Sequence, residues 1–313
     1  MSIITYHGVN FIILVSFLIL LVGEGIAAIA RRQDHPRQTL KETGTSLAVA
    51  VMFAIGNSAI SLLVVAFYSF VYVLTPLHLP DLWHSSTSVL GLIFTVLIAL
   101  VWTDFMYYWG HRGGHTIRVM WASHSVHHSS KEFNYSTAGR LHPFDHVAGI
   151  LLNLPLILLG FNPIIVLTVG LLGPGLSLFF HTQYVKKLPR PIEYIFNTPS
   201  HHRVHHASQK QYLDSNFGAI FMVWDRAFGS YAEEEDLPEC GLTKPIDTQN
   251  PVKVMSHGWV EMIHDVRAGN SPSERVKHLV KRPGWSPDRS QLGQQKDRST
   301  AQDQAKTNEL TGV

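Results

Sequence analysis

The sequence has little cysteine and little net charge, and each shortage excludes a class of protein. Cys240 is the single cysteine among 313 residues, which excludes an intrachain disulfide framework. The net charge of +2 indicates neither a nucleic-acid ligand nor an acidic partner. The chain also lacks an H-E-x-x-H zinc motif, a flavin motif, a cytochrome b5-like domain and a G-x-G-x-x-G dinucleotide motif.

Charged residues are scarce in two long parts of the chain, residues 1–110 and 147–180, whereas residues 232–313 are polar and charged. Apolar runs at 10–30, 45–75 and about 88–110 each reach the roughly 20 residues that cross a bilayer as a helix. The N-terminus has no basic region and no small-residue cleavage site, so the first run is interpreted as a retained anchor and not as a signal peptide.

Basic residues between the runs predict the orientation of the chain. The loop 31–44 is rich in Lys and Arg, whereas the connector 76–86 has neither. The positive-inside rule therefore places the 31–44 loop in the cytoplasm and the N-terminus and connector outside. The third span then ends with His111 on the cytoplasmic side.

The apolar stretch 147–180 is broken at 160–163 by Gly-Phe-Asn-Pro, which predicts a hairpin of two segments. A hairpin that enters and leaves on the cytoplasmic side, whether it spans or re-enters the bilayer, returns His181 to the side of His111. The alternative is a hairpin buried in a soluble domain.

Histidine is the abundant chemical group, and twelve of the nineteen histidines lie within 111–206. They form an H-x3-H box (His111, His115) and two H-x2-H-H boxes (His124, His127, His128 and His202, His205, His206). Residues three and four apart share one helix face, so each box can direct imidazoles at a common point. Eight such ligands exceed one mononuclear site, and the spacing predicts two adjacent metal ions. On ligand type alone, Fe, Zn, Cu or Mn would suit them.

Further polar residues near the boxes are candidates for ligation or for orienting a ligand. Asp104 precedes His111 by seven residues on one helix face, and its alternative is a simple helix-end aspartate. His142 and His146 form another H-x3-H pair, but Pro143 disfavours a continuous helix between them. His181 ends the apolar hairpin and is interpreted as an additional ligand, with an interfacial polar anchor as the alternative. His201 is predicted to point away from the third box.

These motifs resemble the fatty acid hydroxylase/sterol desaturase superfamily of integral-membrane, histidine-box di-iron enzymes. The resemblance covers roughly 90–235 and rests on residues 121–130, 197–206, 214–218 and 224–231. Together with Asn134, Thr137 and Arg140, these sequence segments are most similar to the alkylglycerol monooxygenase branch and its bacterial relatives. Gly113-Gly114 and Asn216-Phe217 depart from the common pattern, which affects substrate fit more than metal binding.

The resemblance implies an all-α integral-membrane bundle whose cytoplasmic, histidine-rich cap holds two iron ions. It implies hydroxylation or desaturation of a lipid C–H bond with O2, the lipid being a sterol, fatty acyl chain or alkylglycerol. Electrons would come from a separate reductase or carrier, such as a ferredoxin, cytochrome b5 or a pterin. The superfamily ligand set falls on the eight box histidines, with His181 a ninth. Tuning roles would fall on Asp104, Asp145, Asn216 and Asp225.

Two other functions remain open at this stage. A membrane zinc hydrolase is weakened by the excess of histidines over the three that a catalytic zinc uses. A non-enzymatic haem-binding or metal-transporting protein is weakened because Asp104 is nearly the only polar residue near a span.

The chain divides into four predicted regions. These are N-terminal transmembrane helices (1–85), a catalytic domain (86–235), a cytoplasmic C-terminal cap (236–285) and a disordered tail (286–313). The C-terminus has no endoplasmic reticulum retention signal, which favours a bacterial inner membrane over the endoplasmic reticulum.

Overall fold

The computed structural model describes residues 3–30 and 36–287, which are mostly helical. In this part of the chain extended pairing is limited to two isolated bridges, Phe196–Phe221 and Ala207–Cys240. The helices are α1 (Ile3–Ala30), α2 (Pro36–Leu74), α3 (Val89–Thr116), α4 (Arg118–His124), α5 (Tyr135–Ala138), α6 (Val147–Leu158), α7 (Pro163–Gly170), α8 (Leu172–Phe180), α9 (Arg190–Ile195), α10 (Pro199–His205), α11 (Val223–Ala227), α12 (Pro251–Ala268) and α13 (Pro272–Val280), with short 3-10 helices at Leu79–Trp83 and His127–Ser129.

Three stretches of the described chain are long and apolar enough to cross a membrane: Thr39–Leu74, Val89–Thr116 and Pro163–Phe180. Their apolar side chains face outwards, as Leu62, Val73 and Leu90 are 73%, 79% and 78% exposed. A protein surface of this kind is stable in lipid and not in water. The predicted all-α membrane bundle is therefore confirmed.

Two predictions fall partly or mainly on residues that the structure does not describe. The basic loop that sets the predicted orientation includes 31–35, which lie outside the described residues. The predicted disordered tail, 286–313, lies outside them from residue 288 onwards.

The apolar hairpin is formed by α6 on one side and α7 with α8 on the other. Gly160 adopts φ +81°, and a Cβ there would lie 2.2 Å from the carbonyl oxygen of Leu77, so only glycine fits this turn. Asn162 then accepts a hydrogen bond from the backbone N–H of Ile164 and caps α7, whose first residue is Pro163. The break in the sequence thus becomes a capped reversal.

The apolar core joins this hairpin to the two longest spanning helices. Tyr68 of α2, Ala99 of α3 and Leu156 of α6 are almost fully buried together with residues of α7. The Tyr68 hydroxyl donates to the carbonyl oxygen of Ile150, 2.5 Å away. This packing holds the hairpin against α3, whose last turns carry the first histidine box.

The C-terminal helices cover the other side of those segments. Asn250 and Ser271 accept backbone hydrogen bonds and cap α12 and α13. Val254 of α12 is fully buried against Val49 of α2 and Val126 beside the second histidine box. The helix α12 therefore connects the spanning helices to the histidine-rich region.

Candidate metal centre

Nine buried or nearly buried histidines form two adjacent groups in the described chain, and each group could hold a metal ion. Within each group the candidate ligand atoms all lie within 4.8 Å of one another. The five-histidine group comprises His111, His115, His124, His128 and His205. The four-histidine group comprises His127, His181, His202 and His206. Their rings meet where His128 and His206 stack, with centroids 4.4 Å apart.

The second and third boxes are each divided between the two groups, which their spacing did not predict. The predicted helix through His124, His127 and His128 ends at His124, and a 3-10 turn begins at His127. The turn directs His127 to the four-histidine group, while His124 and His128 stay in the other. In the third box, His205 joins the five-histidine group and its neighbours join the other.

Backbone carbonyls orient four of the nine rings. The Nδ1 atom of His205 lies 2.8 Å from the carbonyl oxygen of Ser215, and that of His181 lies 2.7 Å from Ser177 O. The corresponding contacts of His111 and His127 are to Phe217 O at 2.9 Å and Arg140 O at 3.2 Å. A carbonyl oxygen can only accept, so each Nδ1 carries the proton and the Nε2 lone pair of the neutral ring is free for a metal.

His124 differs because its Nδ1 faces a carboxylate. The distances to the two oxygens of Asp145 are 3.0 and 3.2 Å. Its Nε2 lies 3.1 Å from the Nε2 of His111. Since both Nδ1 atoms donate elsewhere, the Nε2 atoms of these two rings face each other, an arrangement that a cation bound by both would stabilise.

Other Nε2 atoms support the same interpretation. In the described chain those of His115, His205 and His206 are buried without a hydrogen-bond partner. Buried polar atoms are normally paired, so unpaired ring nitrogens within each histidine group fit a site that binds a cation. A set of imidazoles without thiolate suits iron as well as zinc or copper.

Burial also keeps the rings beyond the spans in the form that binds metal. It lowers the pKa of His181 to about 4, although the Ser177 carbonyl opposes the shift. Burial and neighbouring imidazoles hold the pKa of His202, His205 and His206 well below the ordinary value. Near pH 7 these rings are neutral, as metal ligation requires.

The segment 215–217, whose carbonyls orient His205 and His111, is itself held by predicted site residues. Asn216 adopts φ +56°, and its side chain bonds to the backbone of Ala232 and His201. Asp225 accepts from the backbone N–H groups of Phe217 and Gly218 at 2.8 and 2.7 Å. Both residues act on the histidines through this backbone and not by direct contact.

Asp104 organises the next part of the same loop. Its carboxylate accepts from the backbone N–H of Ile220 and from the indole N–H of Trp224, both at 2.8 Å. It contacts none of the nine histidines through a hydrogen bond in the described chain. The seven-residue spacing puts Asp104 on the same face of α3 as His111. Its carboxylate oxygens, however, accept hydrogen bonds from a loop that lies over 110 residues later in the sequence.

The other three histidines of the segment 111–206 lie outside both groups. The His142 Nδ1 accepts from the backbone N–H of Phe144, and the ring of His146 packs edge-on against Phe53. His201 faces Glu193, with Nε2 4.0 Å from the carboxylate. The local turn at Pro143 directs His142 and His146 away from the boxes while it brings Asp145 to His124.

Sequence reasoning missed the backbone acceptors because any residue type can supply a carbonyl. It also missed Glu42, which binds the side chain of Arg140, the residue whose carbonyl oxygen orients His127. The sequence signal for Arg140 was its place in a motif, whereas Glu42 lies in the polar first turns of α2, where a charged residue is ordinary.

The central part of the chain is similar to proteins of known families. Residues 96–230 match the fatty acid hydroxylase family. Human alkylglycerol monooxygenase is 37% identical over 196 residues, covering 62% of this chain and 43% of that protein. The Xenopus tropicalis enzyme of the same name is 32% identical over 281 residues, covering 89% of this chain and 60% of its own length.

A bacterial relative, the ornithine lipid hydroxylase of Rhizobium tropici, is 31% identical over 153 residues, or 49% of this chain and 44% of that protein. The chain thus spans between 43% and 60% of the length of these three relatives. No solved structure matches it significantly.

Proposed function

We propose that this chain is a membrane-bound oxidoreductase that uses O2 to hydroxylate or desaturate a lipid C–H bond, because residues 96–230 match the fatty acid hydroxylase family. The observation that carries the proposal is the pair of buried histidine groups with converging, unpaired Nε2 atoms. The relatives named alkylglycerol monooxygenase and ornithine lipid hydroxylase support a lipid substrate.

We propose two iron ions as the metals, one in each histidine group, with all nine histidines as ligands. When bound, the iron pair would supply the redox chemistry with O2 that amino-acid side chains lack. The chain itself holds the ligands in place, because Phe217 O, Ser215 O, Ser177 O and Arg140 O fix four rings and Asp145 fixes a fifth.

Apolar side chains keep water away from the histidines. The ring of Phe133 stacks on His181 with centroids 5.2 Å apart, and Phe217 packs against His111 and His205. Both phenylalanines are at most 3% exposed. A dry site strengthens electrostatic interactions and limits loss of reactive species to solvent.

The position of the histidines relative to the bilayer supports a substrate whose apolar tail remains in lipid. His111 follows Tyr107 on α3, and the two rings are 5.3 Å apart. Tyr107 and Asp104 also line a small cavity between α3 and Gly173 of α8. We propose that a lipid tail approaches from this side, where the spanning helices meet the metal centre.

The remaining assignments are proposed with the same function. The histidine groups face the cytoplasm, electrons come from a separate ferredoxin, cytochrome b5 or pterin, and the membrane is a bacterial inner membrane. The region 86–235 forms the catalytic domain, with 1–85 as transmembrane helices, 236–285 as a cap and 286–313 as a tail.

Metal analysis with Mössbauer spectroscopy on detergent-purified protein from cells grown on iron-57 tests the proposal. About two irons per chain, magnetically coupled after oxidation, together with lipid-dependent O2 consumption, are the expected result. Two tightly bound zinc ions, with no O2 consumption after iron reconstitution, would contradict it and favour a hydrolase.

A further inference from the structure

A buried ion pair links the N-terminal spanning helix α2 to the metal centre. Arg140 Nη2 lies 2.5 Å from Glu42 Oε2, and the two side chains are 2% and 9% exposed. Glu42 precedes the segment that matches the family, so family resemblance does not predict its role. The same carboxylate also accepts from the Ser130 hydroxyl and the Gln249 amide.

The guanidinium of Arg140 bonds both to α2 and to the turn that carries His127. Its Nε donates to the Ser46 hydroxyl on α2 at 2.9 Å, and its Nη1 donates to the Ser129 hydroxyl at 3.1 Å. Ser129 in turn donates to the Val126 carbonyl oxygen at 2.7 Å, so the bonds enclose the turn that carries His127.

The backbone of Arg140 completes the connection, because its carbonyl oxygen accepts the Nδ1–H of His127 at 3.2 Å. One residue is therefore anchored to α2 by its side chain and to a candidate metal ligand by its main chain. A displacement of the side chain would shift the acceptor on which the direction of the His127 lone pair depends.

Stability alone does not explain such a pair. Removing two charges from water costs several kcal/mol per ion, and replacing a buried pair by apolar residues of similar volume is often neutral or stabilising. A second carboxylate of the N-terminal helices makes a similar bond, as Glu24 of α1 accepts the backbone N–H of Tyr135 at 2.7 Å. Both N-terminal helices thus bind the same 130–140 segment.

We propose that Glu42 and Arg140 are positioning residues of the four-histidine group, so that α2 is part of the metal centre as well as a membrane anchor. This inference rests on the proposed function, since it takes the two histidine groups to be iron sites. Its consequence is selective: the pair controls the iron held by His127 and leaves the five-histidine iron largely unaffected.

The test is anaerobic binding of ferrous iron to the full chain in detergent, with the apolar double variant Glu42→Leu/Arg140→Met. Single variants leave one buried charge unpaired and are expected to unfold easily. The double variant removes both charges and is expected to keep the thermal stability of the wild type. One of its two irons should bind about 10-fold to 100-fold more weakly, the range for loss of an outer-shell partner.

The matched control is the surface pair Lys187–Glu233, whose charged atoms are 2.9 Å apart and whose side chains are 40% and 58% exposed. The variant Lys187→Gln/Glu233→Gln should bind both irons as the wild type does. Wild-type affinity for both irons in a folded Glu42→Leu/Arg140→Met variant would overturn the inference.

A double variant that fails to fold is replaced by Arg140→Lys, which keeps the charge but cannot reach Glu42, Ser46 and Ser129 together. The same selective loss of one iron is expected, and full binding of both would overturn the inference. Absence of iron binding by the wild type would contradict the proposed function itself, so the two failures are distinguishable.

Discussion

Five histidines of the candidate centre are oriented by the atom that their Nδ1 contacts. Four rings donate to backbone carbonyls, and His124 donates to the Asp145 carboxylate. Among these hydrogen bonds of the described chain, a negative charge is therefore found only beside the five-histidine group. Burial by itself would raise the pKa of Asp145, but the hydrogen bond with the His124 ring helps to bring that pKa below its ordinary value. Asp145 is therefore ionised at neutral pH.

Replacement of His127 by alanine removes a ligand from the four-histidine group. We expect loss of one metal equivalent and of lipid-dependent O2 consumption, because four histidines become three while the other group keeps five. Metal analysis of purified protein measures this. His146→Ala is the control, since His146 lies outside both groups and should leave two metals bound; a His127→Ala variant with full metal and turnover would contradict the assignment.

The variant Asp145→Asn keeps an acceptor for the His124 Nδ1–H but removes the charge. We expect the five-histidine group to bind ferrous iron about 10-fold to 100-fold more weakly while the fold is retained. Equilibrium dialysis measures the affinity. Asp247→Asn, at a residue that is 93% exposed, is the control, and equal affinities in the two variants would show that the carboxylate does not tune the site.

At the scale of elements, two glycines of α3 allow the first histidine box to pack against the second. The helix continues to Thr116 although Gly113 and Gly114 each cost about 1 kcal/mol relative to alanine. A Cβ on Gly113 would lie 2.9 Å from Met120 Cε, and one on Gly114 would lie 3.3 Å from His124 Cγ. These glycines therefore let α4 approach α3, which puts His124 beside His111.

Alanine at Gly114 separates helix propensity from site geometry. We expect Gly114→Ala to bind iron more weakly in the five-histidine group, because the new methyl displaces the His124 ring, while its helix propensity rises. Gly149→Ala in α6 is the control, because a methyl group added there would meet no atom within 4 Å beyond its adjacent residues and its own helix backbone. It should gain up to about 1 kcal/mol of stability with unchanged iron binding. Thermal unfolding and iron titration test both, and normal iron affinity in Gly114→Ala would refute the packing argument.

At the scale of the whole molecule, nine histidines are buried at one end of the membrane bundle. The lowered pKa values of His181, His202, His205 and His206 make the protein sensitive to acid. A group whose pKa is lowered on folding stabilises the fold above its unfolded pKa, near 6.5, and this contribution is lost as the pH falls through the folded value. For His181 that range runs from about 6.5 to about 4. Asp225 opposes the trend, because burial raises its pKa to about 6 and its contribution is lost as pH rises.

The metal-free protein should therefore unfold at lower temperature as the pH falls from 7.5 to 4.5. Several histidines have a lowered pKa, and their combined loss of stability exceeds the opposite contribution of the single residue Asp225. The iron-loaded protein should release its metal over the same range, because protons compete for the Nε2 lone pairs. Thermal scans and metal retention at each pH measure the two effects. An unfolding temperature that does not change over this range would show that the histidines are not buried in neutral form.

Much of this architecture follows from local features of the chain. The apolar runs correspond to α1, α2 and α3, the Gly160–Pro163 break becomes a turn, and the resemblance carried by the boxes agrees with the family matched by residues 96–230. The length of an apolar run is visible in the sequence itself, because a helix that crosses a bilayer requires about 20 apolar residues wherever they occur. The same is true of the histidine boxes, whose ligand type is a property of the side chain.

The division of the histidines between two groups follows from contacts distant in sequence. The 3-10 turn at His127, the carbonyls of Ser215 and Phe217, and the Glu42–Arg140 pair, 98 residues apart, have no local signature. A metal centre depends on the direction of each lone pair, and that direction is set by the partner of the other ring nitrogen. The chain must fold before those partners meet, so spacing predicts the ligand types and the folded structure assigns each ring to its group.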